Sequence, residues 1–215
     1  MIIVSGGESG LGAELMKREG TVNLPRSVIR AGKFAIDDWF INQKQPFFGL
    51  INNFGINHLS WIGRTPEADA EILAVNVLAP YWIINSLVSQ GYVCRVINIA
   101  SAAHRVPMRC SSLYCASKAA LVQLTKVMAR ELAPSGWVIN CLAPGMMEET
   151  EMGRLTVEQV KELRGWDATQ ADQYAKSLIP MGRFTSIEEV AGAVWKVYDL
   201  PDYINGTTIE MMGAA

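Results

Sequence analysis

The sequence predicts a single α/β domain built on a doubly wound parallel sheet. Short apolar runs that suit buried strands alternate with stretches of helical period along the chain, and that alternation gives a parallel sheet with helices on both faces. The first run, Ile2-Ile3-Val4, passes directly into the turn Ser5-Gly6-Gly7-Glu8-Ser9-Gly10-Leu11-Gly12, where bare N–H groups ahead of a helix suit a phosphate. With 215 residues, half of them hydrophobic and 19% charged, the chain can bury one sizeable core.

Strands are expected near residues 2–5, 21–24, 48–52, 93–100, 137–143 and 207–211. Helices are expected near 11–19, 67–89, 112–132 and 187–198. The first helix follows the glycine turn, and Thr21-Val22-Asn23-Leu24 makes a short second strand. Pro80 should kink the second helix. The run Val96-Ile97-Asn98-Ile99-Ala100 reads as a fully buried parallel strand ending in the hydroxyl of Ser101. In the third helix Leu121, Leu124, Met128 and Leu132 form the core stripe at spacings of three and four. Residues 146–180 have no clear strand; they are Met-rich at first and helical from about Ala168 to Leu178. No repeat or linker divides residues 1–215.

Composition excludes several classes. The net charge is −2 and no Lys/Arg run stands out, so neither nucleic acid nor an anionic membrane is an expected partner. Cys94, Cys110, Cys115 and Cys141 lack metal-ligand spacing and read as reduced thiols, so no metal is expected and the cytoplasm is the expected compartment. No stretch reaches the ~18 consecutive apolar residues of a membrane span. Glu148, Glu149 and Glu151 read as a solvated acidic turn, and His104 as a polar loop residue at a pocket rim.

The chemistry is concentrated in Ser112-Leu113-Tyr114-Cys115-Ala116-Ser117-Lys118. A Tyr four residues before a Lys on a helix puts phenol and ammonium on one face, and an adjacent cation favours the phenolate. Tyr114 beside Lys118 is therefore a candidate acid and base near neutrality. Ser101 stands at the carboxyl end of a predicted strand, where open α/β sheets bind ligands.

Taken in order, these residues resemble the short-chain dehydrogenase/reductase family nearly end to end. The matching blocks are Gly6, Gly10 and Gly12; Asn52-Asn53-Phe54-Gly55; Asn76 in Val75-Asn76-Val77; Ser101, Tyr114 and Lys118; Pro144-Gly145; and Arg183 with Glu188-Glu189-Val190-Ala191. The resemblance implies a Rossmann-type sheet and hydride transfer between a nicotinamide cofactor and a carbonyl or alcohol substrate. It implies a catalytic set of Asn76, Ser101, Tyr114 and Lys118. Tyr114 exchanges the proton, Lys118 holds the nicotinamide ribose and lowers the Tyr114 pKa, Ser101 bonds the substrate oxygen, and Asn76 relays protons through a water. The implied cofactor contacts are Gly6, Gly10, Leu11, Gly12, Arg26, Asn52, Asn53, Gly55, Lys118, Pro144, Gly145 and Met147. Residues 146–180 would cover the substrate, and the two long helices would form a homodimer or homotetramer, with Tyr81, Trp82, Ile83 and Ile84 supplying a second apolar face.

The chain also departs from the family. The region between the glycine turn and the fourth strand is short: the helix after the second strand should be lost, and Phe34-Ala35-Ile36-Asp37-Asp38 should be the remnant of the third strand, its acid near adenine. Phe54 replaces a small residue, Thr150 is displaced by one position, and the carboxyl terminus lacks the family's Asp-Gly-Gly. An SDR-like scaffold with impaired cofactor binding and a binding or regulatory role is the alternative; retention of Ser101, Tyr114, Lys118 and Asn76 favours an enzyme. Pro25-Arg26-Ser27 stands where NAD-preferring members place an Asp, so NADP is expected over NAD, Arg26 pairing with the 2′-phosphate.

Overall fold

A computed structural model describes residues 1–62, 69–147 and 150–214. Each apolar run becomes a strand of one sheet: β1 (Ile2–Ser5), β2 (Thr21–Leu24), β3 (Gly49–Asn52), β4 (Arg95–Ile99), β5 (Val138–Pro144) and β6 (Thr208–Met211). The strands lie in the order β2-β1-β3-β4-β5-β6 and all pair in parallel. Ile3 sits between Val22 and Leu50, and Val96 between Leu50 and Ile139. The order reverses at β1, and a crevice opens at the carboxyl ends of the strands beside such a switch.

Alternating strand residues point to opposite faces, so the core divides in two. On one side Ile3, Leu50, Val96 and Ile139 meet α2 (Arg26–Ala31), α3 (Lys33–Ile41), α5 (Ala79–Ser89) and α6 (Ser112–Leu132). On the other, Val4, Ile51, Ile97 and Leu142 meet α1 (Gly10–Leu15) and α9 (Ile187–Tyr198). A polar ladder crosses the first face: Asn52 Nδ2 donates to Asn98 Oδ1 (2.8 Å), and Asn98 Nδ2 to Thr125 Oγ1 (2.8 Å). The ladder gives Asn98 a protein partner for both its oxygen and its nitrogen and Asn52 one for its nitrogen, which offsets the cost of burying them.

The shortened region differs from the sequence expectation. Phe34 to Asp38 is helical within α3, and α2 precedes it, so the helical layer is kept and the third strand is what has gone. Gly32, at φ +90°, breaks the two helices apart. Asp37 accepts hydrogen bonds from Lys33 and from Ser86 of α5, which makes it a helix-packing residue rather than an adenine contact.

The long apolar helix has three parts: α4 (Asp69–Leu73), a π-helical turn (Ala74–Leu78) and α5; its expected start at 67–68 lies outside the described residues. Pro80 cannot donate to the carbonyl of Asn76 and its ring crowds that carbonyl. The wide turn just before it, with the Ala79 N–H bonded back to Ala74, relieves the clash. By length and composition Asp69–Ser89 could cross a membrane, but half of its apolar window is buried inside the protein. Ile83 and Ile84 belong to that core and Trp82 packs against it, which leaves only Tyr81 of the expected second face exposed. Leu73, Leu78 and Val88 are exposed on the same helix, and Val127 on α6.

Residues 146–180 carry one helix more than the sequence suggested. α7 (Glu151–Arg164), capped by the Thr150 hydroxyl on Gly153 N–H, precedes α8 (Ala168–Ser177). At the start of α9, Ser186 and Glu189 form a reciprocal capping box, and Arg183 makes a two-pronged ion pair with Glu189 at 2.7–2.8 Å.

Candidate active site

Every group in the candidate site is placed by an element end. Ser101 follows β4 and caps a short 3-10 turn, its hydroxyl accepting from Ala103 N–H (3.2 Å). Tyr114 and Lys118 project from the first half of α6, where spacing by four keeps them on one face. Lys118 is 4% exposed and its Nζ donates to the Ile99 carbonyl at the end of β4 (2.9 Å). The same Nζ lies 5.7 Å from the centre of the Tyr114 ring.

Asn76 locks this arrangement to the loop after β3. Its Oδ1 accepts from Ile56 N–H and its Nδ2 donates to the Ile56 carbonyl, both at 2.9 Å, and Nδ2 also donates to Ser117 Oγ (3.0 Å). Ser117 in turn donates to the Tyr114 carbonyl (2.7 Å). A Cβ on Gly55 would stand 3.2 Å from both Asn76 Oδ1 and Lys118 Nζ, so glycine keeps this space open. The Asn76 carbonyl has no helical donor four residues on, because that residue is Pro80. Ser101, Tyr114, Lys118 and Asn76 thus converge at the carboxyl end of β4.

Burial sets the protonation of the pair. Tyr114 is raised above the ordinary tyrosine value, chiefly by burial, with a hydrogen bond from Ser101 opposing it. Burial pushes Lys118 down to about 8. The sequence argument had Lys118 lowering the phenol; in the structure burial raises it and the opposing influence comes from Ser101, so Tyr114 is held as the neutral phenol.

The glycine turn and the loop after β3 form the other wall of the crevice. Gly6 and Gly10 adopt positive φ, of +70° and +54°. A Cβ on Gly12 would fall 2.0 Å from the Gly6 carbonyl oxygen. Asn53 binds this wall to β1, its backbone N–H donating to Ser5 Oγ (3.0 Å) and its Nδ2 to the Ser5 carbonyl (3.1 Å). Asn52 and Leu11 turn inward, Asn52 to the Asn98 ladder and Leu11 to the core against α9, so neither side chain faces the crevice. Pro144 ends β5 opposite Met211, Gly145 N–H donates to the Met211 carbonyl (2.8 Å), and Met147 bridges to Thr185.

Arg26 lies beside this turn. Its Nη2 donates to Ser9 Oγ, its guanidinium stands 5.4 Å from the Phe54 ring, and Glu8 and Glu151 approach it at 3.6 and 3.7 Å. Arg26 Nε is buried and makes no hydrogen bond among the described residues. Glu151 therefore opens α7 and reaches across the crevice mouth, while Glu148 and Glu149 lie outside the described residues.

Three residues acquire a place here that the sequence reading did not give them. Met152 Sδ is 4.0 Å from the Tyr114 hydroxyl, Ser117 joins Asn76 to Tyr114, and His104 supports Ser101. His104 Nδ1 lies 2.8 Å from the Ser101 carbonyl and Nε2 is 3.4 Å from Glu210 on β6. Its spacing of three from Ser101 was the only available signal.

A family profile described as short chain dehydrogenase matches residues 19–161. The chain belongs to the short-chain dehydrogenase/reductase family. It is 32% identical over 170 residues to a 3-oxoacyl-[acyl-carrier-protein] reductase of Aquifex aeolicus, covering 76% of this chain and 63% of that protein. Among solved structures, an NAD+-bound xylitol dehydrogenase superposes with a TM-score of 0.85 at 22% identity, covering 99% of this chain and 97% of the other. An actinorhodin polyketide ketoreductase with NADPH gives 0.86 at 19% identity, covering 99% and 96%. The chain spans 63% to 65% of the length of the curated relatives it matches first.

Burial of Lys118 gives this SDR chain a measurable pH signature. Between about 8 and the ordinary 10.5 the unfolded chain binds a proton that the native state does not, so this group makes stability rise with pH across that window. Lys118→Met removes the contribution. Relative to wild type, the variant's unfolding free energy should be highest below pH 8 and fall by up to about 3 kcal/mol as pH approaches 10.5. Urea unfolding at pH 7 and pH 10 measures it; a difference independent of pH would show that Lys118 titrates as in the unfolded chain.

Proposed function

We propose that this chain is a cytoplasmic oxidoreductase that interconverts a carbonyl and an alcohol with NADP(H) preferred over NAD(H), Tyr114 acting as general acid and base. The observation that carries the reading is the convergence of Ser101, Tyr114, Lys118 and Asn76 at the carboxyl end of β4. The crevice fits a dinucleotide: Gly6, Gly10 and Gly12 keep side chains away from the turn, Gly55 adds no Cβ beside Lys118, and Arg26 Nε, 3.6 Å from Glu8, makes no hydrogen bond among the described residues. Lys118 and Gly55 would hold the nicotinamide side with Pro144, Gly145 and Met147, the glycine turn and Asn53 the pyrophosphate, and Arg26 the 2′-phosphate. When bound, the nicotinamide exchanges a hydride with the substrate carbon.

The protein's own part is proton handling and placement. Tyr114, kept neutral by burial, donates its proton to the substrate oxygen in reduction and recovers it in oxidation. Ser101 bonds the same oxygen and fixes its approach. Lys118, pushed down to about 8, is poised to exchange protons near neutrality, and Asn76 leaves a carbonyl for a water that leads outward. Residues 146–180 cover the substrate.

Tyr114→Phe should lower kcat by about 10²–10⁴-fold while the affinity for NADPH, read by fluorescence, stays within about two-fold. Turnover close to wild type would overturn the assignment. Arg26→Ala should weaken NADPH binding by about ten-fold or more and leave NADH nearly unchanged. Equal losses for the two cofactors would show that Arg26 does not read the 2′-phosphate. Assembly as a homodimer or homotetramer through the exposed Leu78, Tyr81, Val88 and Val127 is part of the same proposal. Light scattering at micromolar concentration should give a mass of two or four chains; a single-chain mass refutes it.

A further inference from the structure

An apolar cavity of about 430 Å³, within the usual range for a small-molecule site, lies between α7, α8, residues 106–110 and the carboxyl-terminal segment. Val106, Met108, Val160, Leu178, Phe184 and Met212 make much of its wall. It adjoins the candidate active site: Ala102 follows Ser101 directly, and Gly145 follows Pro144 at the end of β5. Thr156, Val157 and Val160 of α7 line it, and Met152, one turn earlier on that helix, touches the Tyr114 hydroxyl. A substrate whose oxygen lies at Ser101 and Tyr114 can therefore run its body along α7 into this space.

The polar groups in the wall are mostly engaged already. Arg183 and Glu189 pair with each other, Thr185 donates to Glu189 at 3.2 Å, and Thr156 donates to the Met152 carbonyl at 2.8 Å. Arg164 stacks on Trp166 and Tyr174 at 4.6 and 4.7 Å from the ring centres. Arg109 is exposed to solvent at the rim. A substrate bearing several hydroxyls would lose water there and gain few partners, whereas an apolar chain would lose only unfavourable hydration.

We infer that the cavity receives the body of the substrate, and that the substrate is a carbonyl compound with an extended apolar chain or ring rather than a polyhydroxy ketone. The inference rests on the carbonyl–alcohol reaction proposed above, and it adds the substrate class.

A series of 2-alkanones from butanone to decanone, assayed with NADPH, tests it against erythrulose and xylulose. The expected result is a rise in kcat/KM of about three- to four-fold per methylene until the cavity is full, with both ketoses turned over more slowly than butanone. Val160→Asp should flatten that slope. Without cofactor, 2-decanone should displace the fluorescent probe 8-anilinonaphthalene-1-sulfonate and erythrulose should not. A flat series, or ketoses preferred over alkanones, overturns the inference while leaving the role of Tyr114 intact. Displacement by 2-decanone with no turnover of any carbonyl supports the cavity's ligand class and overturns the reaction instead. Absence of both the displacement and the chain-length slope refutes the assignment of the cavity.

Discussion

The arrangement of the whole site depends on burying the ammonium of Lys118. An almost fully buried cation is costly unless it is hydrogen-bonded, and this one rests on the Ile99 carbonyl at the end of β4. That contact ties α6 to the sheet at the end where a ligand crevice opens. A Cβ at residue 55 would crowd both this ammonium and Asn76 Oδ1, and Asn76 holds the backbone of residue 56 in place beside them. Pro80 acts on the helix that carries Asn76. By denying Asn76 a helical donor it forces the wide turn that sets this residue apart from an ordinary helix position.

The same charge explains which parts of the site were legible beforehand. The Tyr114–Lys118 pair, the strand ending at Ser101 and the glycine turn depend on local spacing, and helical or strand geometry converts spacing directly into position. The protonation of the pair does not. It depends on how much water the finished core excludes, and here burial raises Tyr114 against the Ser101 hydrogen bond and pushes Lys118 down to about 8. Asn52 shows the same limit: its sequence block suggests a crevice residue, but the strand's two-residue period sends its side chain to Asn98.

At the level of fold, the strands in the core were legible because a parallel strand buried on both faces is a continuous apolar run. The shortened region was not. Phe34 and Ile36 alternate enough to resemble a strand, yet the segment lies on the core as a helix, burying Ile36 and Phe40 there while β2 stays the edge of the sheet. α7 was missed for a related reason. Gly153 and its many charges mask its apolar side, and that side faces the cavity lining at Val157 and Val160 instead of a packed core.

The crowded adenosine side need not exclude a cofactor, and the magnitudes show why. Arg26 is held by Glu8, Ser9 and Glu151, but the two carboxylate pairs are long, at 3.6 and 3.7 Å, and Glu151 is 65% exposed. Exposed pairs of this kind contribute roughly 0–1 kcal/mol each. A hydrogen bond from a guanidinium to phosphate is worth about 1.5–3 kcal/mol and would also satisfy Arg26 Nε, which makes no hydrogen bond among the described residues. Exchanging the Glu151 contact for a phosphate is therefore favourable on balance. Phe54 would remain beneath the guanidinium, as its ring is 5.4 Å from Arg26 and 5.8 Å from Arg30 and packs over Gly6. The aromatic that narrows the adenosine side also helps to orient the cations there, so its bulk and its cation–π contacts act together.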